Sequence, residues 1–267
     1  GRWWQPNPKA ENVNNLVPGY YDQMLGGKDL DWIQCYVGGQ YVFVKEGRPV
    51  WTEYDDVTMV KDGMAVDERL PINIGGLTPA AVFGQRSPDS QWRIFYELVT
   101  DDMGLERFGQ MLLYELNTRF QNCEPMIWGD PAGTKRDEIF EVTSFDHLRT
   151  LGLNARPTAS NDFQVRREAG AAPMTRLIGG SPGLLIDPGC KRLRKALAGG
   201  YHFKRVGISG GTDRFRDVPN KDQNSHVGDA YGYITLGGGE HRRLTRGNAR
   251  PPAFKGPVTA KMEFSVR

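Results

Sequence analysis

The sequence predicts an α/β domain built on a mixed sheet that is antiparallel at its start and largely parallel afterwards. Two observations support this fold class. Residues 72–99 read as short strands separated by glycines and a turn, which is typical of antiparallel pairing. From residue 103 onward, segments with helical spacing alternate with short apolar runs, which is typical of parallel strands joined by helices.

The antiparallel start is predicted from three segments. Residues 72–74 form a short strand, Gly75-Gly76 interrupts it, and residues 80–84 continue the pattern. A turn sequence follows at residues 86–90. Residues 91–99 then alternate between apolar and polar side chains, so we expect them to return as a partner strand.

The central part of the chain alternates between helices and strands. The clearest helix is residues 103–120, whose apolar stripe is interrupted only by Glu115. The further predicted elements, in order, are a strand at 124–128, a helix at 135–151 with Gly152 as its C-cap, a strand at 153–157, a helix at 163–178 and a strand at 183–186.

The C-terminal third is predicted to insert a β-hairpin before the last helix. A basic helix at 190–197 ends at Gly199-Gly200. Residues 201–206 and 214–218 then read as two strands around a glycine-rich turn. The last predicted helix is 224–234, followed by a basic, glycine-rich tail.

The first 65 residues are predicted to be a lead-in segment. The elements expected there are a short helix around 18–24, strands at 36–37 and 41–44, and a turn at 46–49 before Val50-Trp51. We therefore divide the chain into a lead-in at 1–65, an α/β domain at 66–240 and a tail at 241–267. The order of elements is that of ribonuclease-H-like folds, but several flavodoxin-like folds fit it almost as well.

Composition excludes several classes of protein. No apolar run approaches the roughly 18 residues of a membrane span, and the N-terminus lacks the apolar core of a secretory signal, so we expect no membrane association. Three widely spaced cysteines suit a reducing cytosol. No GxxxxGK[ST] motif is present, so this chain by itself is not a P-loop ATPase.

The distribution of charge predicts a phosphate-binding surface. The net charge is only +2, yet the chain from Lys191 to its end is rich in lysine and arginine and poor in acids. A one-sided basic surface is typical of proteins that bind a phosphate backbone. The alternative is that these cations only solvate helix faces.

One candidate catalytic residue is Asp130. It follows the apolar run at 124–128 and precedes Pro131, so its carboxylate is expected at the edge of the sheet. An Asp-Pro pair is also an ordinary helix N-cap, and that alternative stays open on this stretch alone.

The second candidate is Asp229 on the last predicted helix. His226, Asp229 and Tyr233 share a helix face, and the small residues beside them let that helix approach a sheet closely. A carboxylate there is costly to bury unpaired, and a divalent metal shared with Asp130 would offset that cost. Two ions about 4 Å apart would promote phosphodiester hydrolysis. The alternatives are a solvated Asp229 paired with an arginine, and, as the preferred interpretation for His226, a capping or core histidine.

Several cations are candidates for DNA binding. Lys135 and Arg136 follow the Asp130 turn, where they could hold a phosphate near the scissile bond. A cationic two-stranded ribbon can lie along a duplex without reading its sequence. Its candidate residues are Lys204, Arg205, Arg214 and Arg216. For the basic helix at 190–197, a solvated face is an equally good interpretation.

Five stretches resemble the C-terminal nuclease domain of the large terminase subunit of tailed bacteriophages. They occur in the expected order and cover nearly the whole chain. They are Ala10-Glu11-Asn12 with Gly19-Tyr20-Tyr21, Gly47-Arg48-Pro49-Val50, Gly76-Leu77-Thr78-Pro79-Ala80-Ala81-Val82, Trp128-Gly129-Asp130-Pro131-Ala132-Gly133 and Ser225-His226-Val227-Gly228-Asp229-Ala230.

The resemblance implies a ribonuclease-H-like fold of the integrase and resolvase type. It also implies an endonuclease that cuts concatemeric double-stranded viral DNA during genome packaging, using Mg²⁺ or Mn²⁺, with two ions held by Asp130 and Asp229. An ATPase motor domain would precede this one in the same subunit. The implied partners are DNA, the small terminase subunit and the portal of the procapsid, in the host cytoplasm.

One departure from the family pattern concerns a third carboxylate. The family's first core strand usually ends Asp-x-Gly-x-Thr-Pro, and here the Asp position falls on Ile74. Asp137 and Glu97 are the candidate substitutes.

The missing carboxylate suggests an alternative function, a non-catalytic DNA-binding module of the packaging motor. In such a module, Ile74→Asp would raise activity. A resolvase-like or transposase-like enzyme is a third possibility, with a preference for branched or end-specific DNA.

Overall fold

The structure is a computed structural model that describes residues 47–135, 142–209 and 212–240, together with residues 15–17, 20 and 23. Most of the predicted helix around 18–24 lies outside the described residues. So do the predicted strands at 36–37 and 41–44, Arg136, Asp137 and the tail at 241–267.

A six-stranded mixed sheet forms the centre of the domain. Its strands are β2 (Ile72–Gly75), β3 (Ala80–Arg86), β4 (Trp92–Val99), β5 (Pro125–Gly129), β6 (Ala155–Pro157) and β9 (Leu184–Ile186), in the order β6-β5-β2-β3-β4-β9. Strands β2, β3 and β4 are antiparallel, whereas β5, β6 and β9 join in parallel. The fold is therefore ribonuclease-H-like, and the flavodoxin-like alternative is excluded because its sheet would be parallel throughout.

Helices cover both faces of this sheet. Helices α1 (Leu105–Arg119) and α2 (Ser144–Thr150) enclose one apolar core with the sheet, and Phe108 and Phe145 are buried there. The other face carries the helices α3 (Phe163–Met174), α4 (Lys191–Lys195) and α5 (Gln223–Thr235). Apolar side chains on both faces of the strands explain why β2 and β3 are buried along most of their length.

Two predicted helices are shorter than expected. After β5 the chain makes a 3₁₀ turn (Pro131–Thr134), and α2 begins only at Ser144, where the Thr143 side chain accepts a hydrogen bond from the Asp146 amide at 3.0 Å. Helix α3 ends at Met174 instead of residue 178. A small hairpin of β7 (Leu177–Ile178) and β8 (Ser181–Pro182) follows, because two glycines supply its turn with positive φ angles.

The predicted β-hairpin insertion is confirmed before the last helix and gains a third strand. Its arms are β10 (His202–Ser209) and β11 (Thr212–Phe215), and β1 (Gly47–Pro49) pairs antiparallel with β10. A π-turn (Ala196–Gly200) connects α4 to β10. We call the hairpin of β10 and β11 the ribbon. The guanidinium of Arg48 lies 4.8 Å from the ring centre of Phe203, so a cation–π contact joins β1 to the ribbon.

Part of the predicted lead-in at 1–65 packs into the core of the domain. Val50, Trp51 and Met59 are at most 5% exposed, within the core that α3, α4 and α5 share with the sheet. The indole of Trp51 also donates to the Arg167 carbonyl at 2.9 Å. The core of the domain therefore includes side chains from residues 50–59, upstream of the expected boundary at residue 66.

None of the helices in the described part of the chain is both long enough and apolar enough to span a bilayer.

Candidate functional site

A cleft of about 250 Å³ lies at the sheet edge where β2 and β5 end. Parallel strands bring their carboxyl ends to one edge, so residues that follow β2 and β5 meet there. Thr78 follows β2, Asp130 follows β5, and α5 contributes Asp229. The two carboxylates that the sequence singled out therefore face the same space.

Asp130 caps the turn that follows β5. Its Oδ1 accepts a hydrogen bond from the Ala132 amide at 2.8 Å, and Pro131 occupies the first position of the 3₁₀ turn. The capping interpretation and the cleft interpretation of Asp130 are thus both correct for its position. The bond to Oδ1 thus orients a carboxylate that lines the cleft.

Helix α5 places Asp229 by packing directly on β2. A Cβ at Gly75 would lie 2.0 Å from the Ala230 carbonyl oxygen, so only glycine allows this approach of helix and strand. The helix begins with a capping box in which Asp222 and Ser225 bind each other's backbone. His226, Asp229 and Tyr233 all line the cleft, as their helical spacing predicts.

Asp229 is held by three side chains. Its Oδ1 accepts from the Arg166 guanidinium at 3.0 Å and from the Tyr201 hydroxyl at 2.9 Å. Its Oδ2 accepts from the Lys221 ammonium at 2.5 Å. The Asp229 side chain is only 17% exposed. Asp229 thus pairs with an arginine, as in the alternative interpretation, but the pair is largely buried and not on a solvated face.

Arg166 and Tyr233 pack against each other beside the Asp229 carboxylate. The guanidinium carbon of Arg166 lies 4.7 Å from the ring centre of Tyr233, and Arg166 is 8% exposed. Burial raises the pKa of Tyr233 above its ordinary value; Arg166 opposes this increase, and the carboxylates of Asp130 and Asp229 add to it. Tyr233 therefore stays a neutral hydroxyl, which donates to Oδ1 of Asn161 at 3.4 Å.

The side chains that line the cleft are of the type that binds a hard divalent cation. Mg²⁺ is commonly bound by one or two carboxylates together with water and substrate phosphate oxygens. Asp130 and Asp229 supply the carboxylates, and His226 lies beside them. Among the residues that the structure describes, no three His, Cys, Asp or Glu side chains come together as a closed metal site. Water and a substrate phosphate would have to complete the coordination shell.

Of the two substitutes considered for the missing carboxylate, the structure describes Glu97, which does not line the cleft. Ile74 is fully buried, opposite Phe83 and Ile127 in the sheet, and belongs to the core beneath α1 and α2. Glu97 accepts hydrogen bonds from the amides of Arg192 and Leu193 at 2.8 and 2.7 Å, so it anchors α4. Asp137 lies outside the described residues.

The predicted DNA-binding cations are exposed where the structure describes them. Lys135 follows the Asp130 turn. The exposed cations on or directly after the ribbon strands are Lys204, Arg205, Arg214 and Arg216. Arg194 in the basic helix instead makes a two-point ion pair with Asp56 at 2.6 and 2.9 Å, which gives that cation a structural role.

His226 and three residues that bind Asp229 were not assigned to the site from the sequence. His226 is exposed and lines the cleft, so the preferred interpretation as a capping or core histidine is wrong; Asp222 is the cap. Lys221 could have been noticed, since it directly precedes the capping residue of the helix that carries Asp229. Arg166 and Tyr201 gave no signal, because they lie 63 and 28 residues from Asp229 in the sequence.

Comparisons with known proteins give one similarity. No protein-family model matches the chain, and no curated protein matches it. Among solved structures, the chain is similar to the P22 large terminase nuclease domain, at 11% sequence identity and a TM-score of 0.45. The similarity covers 71% of this chain and 92% of the P22 domain.

Proposed function

We propose that this chain is a nuclease domain that hydrolyses double-stranded DNA during phage genome packaging, with Mg²⁺ or Mn²⁺ held by Asp130 and Asp229. One observation carries the proposal. A strand end and a helix bring these two carboxylates into one cleft at the edge of a ribonuclease-H-like sheet. The five stretches that resemble terminase nuclease domains include both acids, which supports the same conclusion.

The proposed chemistry is phosphodiester hydrolysis. Divalent cations, two in the form that the sequence suggests, supply an activated water and stabilise the leaving oxygen when they are bound. The chain's own residues prepare the site. Arg166 and Tyr201 fix Oδ1 of Asp229, and the Ala132 amide fixes Oδ1 of Asp130, so both acids are oriented before DNA arrives.

The ribbon supplies the proposed DNA-binding surface. Strand β10 begins next to Tyr201, and the segment after β11 leads to Lys221, so the chain reaches the Asp229 carboxylate on both sides of the ribbon's open end. Cations on this ribbon neutralise phosphates without reading bases. Lys135 lies beyond Asp130 in the chain and is proposed, with Arg136, to hold a phosphate near the scissile bond.

The sequence resemblance also suggests a biological setting, which we include in the proposal. A packaging nuclease would work next to the ATPase domain of its own subunit, with the small terminase subunit and the portal of the procapsid, in the host cytoplasm. The substrate would be concatemeric viral DNA.

Cleavage of supercoiled plasmid DNA tests the activity. We expect nicking with Mg²⁺ or Mn²⁺ and a loss of at least about 100-fold in Asp130→Asn, since asparagine keeps the N-cap but weakens the metal ligand. Asp229→Asn should lose activity as well. Asp67→Asn, at the opposite end of the sheet, is the matched control. Equal cleavage by all four proteins would exclude Asp130 and Asp229 as catalytic residues.

The observation that no third carboxylate joins the cleft among the described residues favours one alternative, a non-catalytic DNA-binding module. It would bind DNA in a salt-sensitive manner and leave plasmid intact with either metal. A resolvase-like enzyme would instead prefer branched DNA, which a comparison of branched and linear duplexes in the same assay detects.

A further inference from the structure

The two oxygens of Asp229 have different kinds of partner. Oδ1 is bound by Arg166, whose side chain is 9% exposed, and by Tyr201, which is 1% exposed. Oδ2 is bound by Lys221, whose side chain is 64% exposed. Oδ1 is therefore fixed by the core of the domain, whereas the partner of Oδ2 can leave into solvent with little cost in packing.

The ammonium of Lys221 occupies the Asp229 oxygen that the core of the domain does not hold. An ammonium at 2.5 Å from a carboxylate oxygen offsets its negative charge and engages one of its lone pairs, which a metal ligand would need. A divalent cation near Asp229 would also be repelled by that ammonium. Because Arg166 and Tyr201 retain Oδ1, Asp229 would keep its position after Lys221 withdraws.

From this geometry we infer that Lys221 and a divalent cation compete for Oδ2 of Asp229, and that DNA phosphate releases Lys221 from the carboxylate. Lys221 lies between the ribbon, which ends at Phe215, and α5, which begins at Gln223. A duplex lying along the ribbon places phosphates near Lys221, so the ammonium exchanges one anion for another. Metal binding is thereby coupled to DNA binding. This inference rests on the proposed function.

The coupling leads to two quantitative expectations. Replacement of Lys221 by methionine, which keeps the aliphatic length, should tighten Mn²⁺ binding about fivefold, a change of about 1 kcal/mol that is comparable to one exposed ion pair. DNA should tighten Mn²⁺ binding to the unmodified protein by a similar factor, because the coupling is reciprocal. DNA should change Mn²⁺ binding to the methionine variant much less.

The test is a titration of the protein with Mn²⁺, in which electron paramagnetic resonance measures the free ion. Each titration is run with and without a short DNA duplex. The amount of bound Mn²⁺ is corrected for the Mn²⁺ that the DNA alone binds. The variants are Lys221→Met, Lys221→Arg, which keeps the competing charge, and Lys191→Met, a matched loss of an exposed lysine on α4. Tighter binding in Lys221→Met alone supports the inference.

Other outcomes overturn it. Equal or weaker Mn²⁺ binding by Lys221→Met, an equal gain in Lys191→Met, no effect of DNA on the unmodified protein, or no Mn²⁺ binding at all would each contradict the competition. Plasmid cleavage is scored separately. Competition without cleavage would refute only the proposed nuclease activity, and cleavage without competition would refute only the role of Lys221.

Discussion

At the scale of single residues, the cleft depends on how Asp229 is supported. Arg166 on α3, Tyr201 before β10 and Lys221 before α5 reach it from three parts of the chain. The position of Asp130 could be predicted from the sequence, because a buried strand must end before Pro131. The partners of Asp229 could not, because side chains distant in sequence meet only once the helices have packed.

Replacing Arg166 by alanine should destabilise the fold. It removes the buried ion pair to Asp229 and the contact with the Tyr233 ring, so we expect a loss of about 2–3 kcal/mol in the free energy of unfolding, below the cost of breaking a fully buried pair. Urea denaturation measures it. Arg69→Ala, which removes an exposed partner of Asp67, should leave the midpoint unchanged. An Arg166→Ala midpoint equal to that of the unmodified protein would contradict this expectation.

Introducing a carboxylate at Ile74 should weaken the fold and not raise activity. The sequence pattern suggested a gain from Ile74→Asp, but the structure buries this side chain fully in the core under α1 and α2. A charge there without a partner costs several kcal/mol, whereas Ile74→Val costs about 1 kcal/mol. Thermal unfolding of the two variants gives the comparison. A well-folded Ile74→Asp protein with increased cleavage would refute this assignment.

At the scale of elements, the strands were more predictable than the helix ends. Alternation in β4 and the glycine break after β2 are local signals, and both strands formed as expected. The start of α2 depends on a hydrogen bond made by Thr143, and the β7–β8 turn depends on Gly179 and Gly180 at positive φ. The Gly179-Gly180 pair is a turn signal in the sequence, but the helical spacing before it led to a predicted helix that continued to residue 178.

The ribbon should account for much of the salt dependence of DNA binding. Replacing Lys204, Arg205, Arg214 and Arg216 together by glutamine should lower the slope of log affinity against log salt by up to about 3.6, at about 0.9 for each phosphate contact. Fluorescence anisotropy at several salt concentrations measures the slope. Lys61→Gln, an exposed lysine outside the ribbon, serves as the control. An unchanged slope would place DNA elsewhere on the domain.

At the scale of the whole molecule, the mixed sheet was predicted from the alternation of elements, but the contacts that hold the end of the described chain were not. Glu240, at the end of the π-turn (Leu236–Glu240) after α5, is fully buried. It accepts hydrogen bonds from Arg86, Trp92 and Arg176, and so ties the end of the described chain to β3, β4 and the segment after α3. No local sequence pattern predicts the contacts of Glu240, because its partners are distant in the sequence.

The Glu240 cluster should make stability depend on acid pH. Burial acts to raise the pKa of Glu240, but the hydrogen bonds and charge of Arg176, with Trp92 and Arg86, outweigh it and hold the pKa below the ordinary 4.5. The stabilisation is therefore complete above about pH 4.5 and is lost as pH falls through the lower folded-state pKa.

Glu240→Gln tests this contribution. At neutral pH it should cost about 3 kcal/mol, because it leaves two partly buried arginines without their counter-charge, and the cost should shrink below pH 4.5. Chemical denaturation across a pH series measures both effects. Glu124→Gln, an exposed residue just before β5, should show neither. A pH-independent difference between Glu240→Gln and the unmodified protein would argue against an ionised Glu240.

The pairing of β1 with β10 has a mechanical consequence. Gly47 and Arg48 are in register with Lys204 and Phe203, and the Val50 amide donates to the Tyr201 carbonyl at 3.0 Å. Tension on the chain ahead of residue 47 therefore acts first on the ribbon and on Tyr201, whose hydroxyl holds Asp229. A force-generating domain attached upstream would pull on the cleft through this one strand, and the load would reach a proposed catalytic carboxylate within a few residues.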